Sequence, residues 1–171
     1  MSRLFWIEVG GTGRMAITAR PRADDWLDGE IDAWKRAGID AVVSLLEREE
    51  AAERGLQREA EVCRSNGIDF VSFPIPDRGV PDPDATSRIV RDLAARLHEG
   101  RSIAIHCRAG IRRSSIMAAC VLIHCGIDAE TALASIKSAR GLNVPDTDEQ
   151  RDWVVAFGSR AARIRRGEMP D

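Results

Sequence analysis

The sequence predicts an α/β fold: a single domain with a mostly parallel central sheet of about five strands flanked by helices. Three observations carry that expectation. Short apolar runs alternate with longer amphipathic segments. The runs at 40–46 and 102–106 are apolar almost throughout, as in strands covered on both faces. Finally, 171 residues with 44% hydrophobic and 30% charged content suit one core of ordinary size. No repeat or low-complexity block divides the chain, and the Pro/Gly-rich stretch 74–83 is too short for a linker, so residues 1–171 are read as one domain.

The elements follow in order. Residues 4–9 and 15–19 read as short strands around Gly10-Gly11-Thr12-Gly13, a tight hairpin turn whose glycines permit positive φ. A nucleotide-binding glycine loop would need a helix next, and a second strand follows instead. Residues 24–37 form an amphipathic helix closed by Gly38, residues 40–46 a buried strand, residues 47–66 a charged surface helix and residues 68–73 an alternating strand. Residues 84–99 are helical with Asp84 as N-cap, and 102–106 form another strand. Helices then follow at 114–125, ending at Gly126, at 128–139, ending near Gly141, and from 147 to about 165.

The charge balance, 25 basic against 27 acidic residues, gives a net charge of −2 and no global field that would draw nucleic acid or an anionic membrane. Any basic site must be local. The apolar start at 4–7 is ended by Glu8, far short of a signal-peptide core or membrane span, so a cytoplasmic protein without membrane insertion is expected. Its oligomeric state is not legible. The four cysteines form no CxxC pair, which in a reducing compartment argues against a disulfide framework. Cys120, His124 and Cys125 sit in the apolar run 116–127 without a second ligand pair in zinc spacing, so core packing is expected and no metal.

The segment that carries chemistry is His106-Cys107-Arg108-Ala109-Gly110-Ile111-Arg112-Arg113-Ser114, between a strand and a helix. Ligands bind at the carboxyl ends of strands in α/β sheets, and a helix N-terminus just beyond presents unpaired N–H groups to an anion. A loop curled there, from Arg108, Ala109, Gly110, Ile111 and Arg112 to Arg113, can cradle phosphate, with Gly110 permitting the sharp turn. The Arg113 guanidinium can take two phosphoryl oxygens as a fork, a geometry lysine cannot supply. The same positive surroundings favour the thiolate of Cys107, making it the nucleophile. His106 is expected to fix the loop through the backbone, and the Ser114 hydroxyl to stabilise the departing thiolate.

Transfer of a phosphoryl group to Cys107 expels an alkoxide or phenolate that needs a proton. Asp77, in Pro74-Ile75-Pro76-Asp77-Arg78-Gly79-Val80-Pro81 after a strand, is the expected general acid, with Gly79 as a hinge. Asp84 is better used as a helix cap, and Asp82 is boxed between Pro81 and Pro83.

On these residues the sequence resembles the cysteine-dependent protein tyrosine phosphatases, particularly the compact dual-specificity branch, whose motif is His-Cys, five residues, Arg, then Ser or Thr. His106, Cys107, Arg113 and Ser114 match it. Pro74 to Asp77 is similar to the family's acid loop, and Arg140-Gly141 with Gln150 to its later motif, so the resemblance runs from about residue 40 to 153. It implies a dual-specificity phosphatase-like fold and a two-step reaction through a phosphocysteine, with no metal or other cofactor and with inhibition by vanadate and by thiol oxidation. The glutamine that positions water in classical members falls near Asp146, leaving Gln150, four residues later, as its candidate. Low-molecular-weight phosphatases reverse the order of acid and nucleophile, and rhodanese-like proteins have no use for an Asp77 loop.

The expected substrate is protein phosphotyrosine, with phosphoserine or phosphothreonine beside it. The chain has no tyrosine to build an aromatic clamp, which suits a permissive pocket. A phosphoinositide or other small phosphate ester is the enzymatic alternative, since Arg108 and Arg112 add charge at the loop mouth. A non-catalytic phospho-binding module is the alternative of another class, opposed by the presence of Cys107, Arg113 and Asp77. Cys63 is a candidate for a protective disulfide with Cys107, with a buried core cysteine the favoured reading, and the basic stretch 160–166 reads as a solvated helix end.

Overall fold

The protein is described by a computed structural model covering residues 2–170; Met1 and Asp171, the ends of the expected domain, lie outside the described residues. In chain order the elements are β1 (Phe5–Ile7), β2 (Arg14–Ala19), α1 (Leu27–Arg36), β3 (Ala41–Ser44), α2 (Arg48–Glu53), α3 (Glu59–Ser65), β4 (Asp69–Ser72), α4 (Pro83–His98), β5 (Ser102–Cys107), α5 (Arg113–His124), α6 (Ala129–Arg140) and α7 (Asp148–Arg165). One 3₁₀ turn, Asp24–Trp26, leads into α1.

The strands form one sheet in the order β1-β2-β5-β3-β4. Only the hairpin strand β1 runs antiparallel to its neighbour; β2, β5, β3 and β4 are parallel. β3 and β5 are buried at every residue because helices cover both faces, which is why their sequences show no polar alternation. α4, α5, α6 and α7 pack on one face, with Ile103, Ile105 and Cys107 of β5 in their core. α1 and α3 pack on the other, where Ala104 joins Trp34, Val62 and Cys63. α5 is buried at every residue except His124, so its sequence is apolar all round instead of striped. Being at the centre, β5 delivers its last residue, Cys107, to the middle of the sheet's carboxyl edge.

Three expectations are corrected. The stretch 47–66 is two helices, not one. Gly55 takes φ +69° and ends the first, letting Leu56 turn inward. Nor is it all surface, since Glu59, Val62 and Cys63 are buried. α4 is capped by Asp82, whose carboxylate accepts from the Ala85 N–H at 2.7 Å. Pro83 then fills the first helical position, where its missing N–H is not needed, and Asp84 pairs with Arg160. Of the trio assigned to core packing, only Cys120 is buried; His124 and Cys125 are exposed at the end of α5.

Candidate active site

Strand β5 ends at Cys107 and α5 begins at Arg113, so the loop between them closes over the amino end of a helix. Cys107 is 3% exposed, and its Sγ lies 3.4 Å from the Ser114 hydroxyl. Burial alone pushes the thiol up. Hydrogen bonds from the Ser114 hydroxyl and from the Ser114 and Ile111 backbone, with the Arg113 charge, outweigh it and bring the net shift below the usual thiol range.

Gly110 sets the curl. It takes φ +64°, and a Cβ there would lie 2.5 Å from the Thr18 carbonyl carbon and oxygen, so the loop backbone rests directly on the end of β2. Gly110→Ala is therefore expected to destabilise the protein by about 3 kcal/mol, through left-handed strain and this clash together. Thermal melting and vanadate binding check it, and a variant with wild-type values in both would show that the loop can be rebuilt elsewhere.

Arg113 is 2% exposed. Its Nη1 and Nη2 donate to the two carboxylate oxygens of Glu50 at 2.7 and 2.8 Å, and Nη1 also donates to the Leu45 and Ile75 carbonyls at 3.3 and 3.1 Å. The bond from Arg113 is the main cause that holds Glu50 below the usual carboxylate range. Glu50 was not singled out in the sequence, because nothing in Arg48-Glu49-Glu50-Ala51-Ala52-Glu53 separates it from its neighbours until the start of α2 fixes which side faces in.

Asp77 sits on the loop after β4, half exposed, with Oδ1 3.8 Å from Arg113 Nη2. Its backbone N–H donates to Glu47 at 3.4 Å, and the next residue, Arg78, takes φ +63°. Cys107, Arg113 and Asp77 thus line one cavity of about 290 Å³, with Arg78, Arg108, Ala109, Ile111, Arg112 and Asp146. Among the described residues, no aromatic side chain lines it.

Several candidates sit differently from their expected places. Arg112 is not a free charge at the mouth: its Nε donates to both Asp146 oxygens, at 2.8 and 2.9 Å. Gln150 is buried in the first turn of α7 and stays out of the cavity lining; its Nε2 donates to the Gly79 carbonyl at 3.4 Å, tying the loop that carries Asp77 to α7. His106 meets a carboxylate: its Nε2 lies 2.8 Å from Glu59 Oε1, an ion-pair contact off the line of an ideal hydrogen bond. Burial lowers the imidazole's proton affinity, but the Glu59 charge and the neighbouring Cys107 raise it further, for a net upward shift.

Cys63 lies in the core of the opposite face of the sheet from Cys107, so the two are not placed for a disulfide. Burial pushes its thiol up to about 12. The basic stretch 160–166 is tied internally: Arg160 to Asp84, Arg165 to the Ile123 carbonyl and Arg166 to Glu168.

A sequence model of the family PTP-SAK, described as a Swiss Army Knife protein, DSP-PTPase phosphatase domain, matches residues 2–158. Among curated proteins, the chain is 30% identical over 130 residues to cyclin-dependent kinase inhibitor 3 of Rattus norvegicus. That match covers 75% of this chain and 61% of the relative, so the chain spans about three fifths of the relative's length. Among solved structures, kinase associated phosphatase with its catalytic-site cysteine replaced by serine superposes with a TM-score of 0.86 at 23% identity, covering 94% of this chain and 96% of that one. PTPMT1 in complex with PI(5)P superposes with a TM-score of 0.73 at 18% identity, covering 88% and 94%. At these identities the superpositions speak for the fold.

Proposed function

The chain belongs to the PTP-SAK family of DSP-PTPase phosphatase domains, and on that premise we propose that it hydrolyses phosphate monoesters through a phosphocysteine, acting on protein phosphotyrosine and on phosphoserine or phosphothreonine. The observation that carries the reading is the convergence of Cys107, Arg113 and Asp77 on one cavity. Glu50 and two carbonyls occupy one side of the Arg113 guanidinium, leaving Nε and a proton of Nη2 for a phosphoryl group. In the first step Cys107 Sγ forms the S–P bond while the P–O bond to the substrate breaks, and the Asp77 carboxyl gives its proton to the departing oxygen. Arg113 and the N–H groups of 108–113 hold the equatorial oxygens. In the second, Asp77 takes a proton from water as it attacks phosphorus, and the thiolate leaves toward the Ser114 hydroxyl.

The test is turnover of p-nitrophenyl phosphate without added metal. Asp77→Asn is expected to lower kcat on a phosphotyrosine peptide by about 10²-fold, and to lower it less on p-nitrophenyl phosphate, whose leaving group needs less protonation. An equal loss on both substrates would remove Asp77 from the acid role. A wild type that binds phosphate without turning it over would make the chain a phospho-binding module.

A second reading, a small polyanionic ester such as a phosphoinositide, is favoured by one observation. Arg78 and Arg108 line the cavity and form no ion pair among the described residues. A preference for such esters that falls in Arg108→Ala would select it over phosphopeptides. The compartment we propose is the reducing cytoplasm, which keeps Cys107 a free thiolate. No helix among the described residues is long and apolar enough to cross a membrane.

A further inference from the structure

We propose that Glu59 is a positioning residue for the nucleophile, holding His106 as an imidazolium from behind the sheet and so favouring the thiolate of Cys107. The inference deepens the phosphatase reading, in which Cys107 is the attacking group.

It begins with the alternation of β5. Successive residues of a strand point to opposite faces, so Cys107 faces the core under α4 to α7 while His106 faces α1 and α3. There the imidazole is wholly buried, with the Trp34 ring centroid 6.2 Å from its own. A charged imidazole in such a place needs a partner, because an unpaired one gives up its proton to escape the desolvation penalty. Glu59, the first residue of α3, supplies the partner at 2.8 Å, with its side chain 3% exposed.

The other groups around the ring cannot take that part. Its register neighbours on β2 and β3 are Thr18 and Ser44, both uncharged. α1 contributes Trp34, and α3 contributes Cys63, whose thiol stays neutral at ordinary pH. Glu61 and Arg64 of α3 are exposed to solvent. The charges that His106 meets are therefore the Glu59 carboxylate and, from the adjacent residue, the Cys107 thiolate. Since an imidazolium beside a thiolate favours both ionised forms, a carboxylate that keeps the ring protonated lowers the pH at which Cys107 becomes nucleophilic. The mechanism otherwise draws only on groups at the cavity. This pair would act on the thiol from the other side of the sheet.

The experiment is the pH dependence of iodoacetamide alkylation of Cys107 in the full chain, resolved by peptide mass spectrometry with the exposed Cys125 as internal reference. Glu59→Gln is expected to raise the Cys107 midpoint by about one pH unit, so that alkylation below the wild-type midpoint slows about tenfold. The acid limb of kcat/KM should move with it. His106→Asn should raise the midpoint as well, and adding Glu59→Gln to it should change nothing more. An unchanged midpoint in Glu59→Gln, whatever its melting temperature, would make Glu59 a structural residue and overturn the proposal. A further rise in the double variant would overturn the route through His106. If Glu59→Gln does not fold, an unchanged midpoint in His106→Asn overturns the proposal equally. Alkylation needs no substrate, so the predicted shifts in a protein that hydrolyses no phosphate ester would uphold this inference and overturn the phosphatase reading alone.

Discussion

Cys107→Ser is expected to lower p-nitrophenyl phosphate hydrolysis by at least about 10⁴-fold, the scale on which loss of a covalent nucleophile reads, while leaving the fold and vanadate binding in place. Against the burial that disfavours an anion stand the Ser114 hydroxyl 3.4 Å away, two backbone N–H groups and the Arg113 charge. These suffice for a thiol, whose ordinary pKa of about 8.5 is within reach of such a field. They cannot ionise an alcohol, whose pKa lies far above a thiol's. The stability change should stay within about 1 kcal/mol, because the serine hydroxyl inherits Ser114 as a partner. Steady-state rates with melting curves decide it. Activity above about a hundredth of wild type would sink the phosphocysteine route in favour of direct attack by water.

Arg113 stands at a point where activity and stability meet, and Arg113→Ala should damage both. It removes the phosphoryl fork, a loss of about 10³-fold in turnover. It also leaves Glu50, with only 15% of its side chain exposed, without the guanidinium that neutralises it. Together with the loss of the two carbonyl partners, that costs about 2–4 kcal/mol. Arg113→Lys should recover part of the stability and little of the activity, since an ammonium offers a charge without a fork. Arg113→Ala with Glu50→Gln should regain stability and remain inactive, because the stranded carboxylate is gone and the phosphate site is still missing. The pH dependence has a definite sign. Glu50 is held below its ordinary range by Arg113, so the pair stabilises the fold above the unfolded carboxylate's pKa, and that contribution is lost as pH falls through the lower folded value. The gap between wild type and Arg113→Ala should therefore close in acid. A gap independent of pH would mean that the guanidinium's packing, not its pairing, matters.

The parts of the molecule that were legible in the sequence are those written locally. Cys107, Gly110, Arg113 and Ser114 are contiguous with the strand and helix they join, so one stretch reports the loop, its turn and its place in the fold. The hairpin was legible from its glycine cluster, and β3 and β5 from their unbroken apolar runs. What escaped was set at long range. The stretch 47–66 looked like one solvated helix because its composition is charged, yet the break at Gly55 lets each half send a glutamate inward. Glu50 reaches Arg113, 63 residues away in sequence, and Glu59 reaches His106. Composition cannot tell a carboxylate in water from one buried on a distant cation. Cys63 is buried, as favoured, and only its alternative disulfide with Cys107 is lost, because a helix sequence does not say which face of the sheet it covers. The cap of α4 is a different case: Asp82 followed by Pro83 carried the signal for the true start, and Asp84 competed only by being the same residue type.

The loop around Cys107 leans on Thr18 through Gly110, and the ladder beneath it joins β5 to β2, whose bonded residues Arg14 and Ser102 lie 88 positions apart. Closing that span costs more chain entropy than any local helix does. In a chain emerging from the ribosome β2 precedes β5, the last strand of the sheet, so Cys107 has no cradle until the other strands have been made. Competence for chemistry is thus a property of the finished topology, and a partly folded chain presents Cys107 as an ordinary thiol.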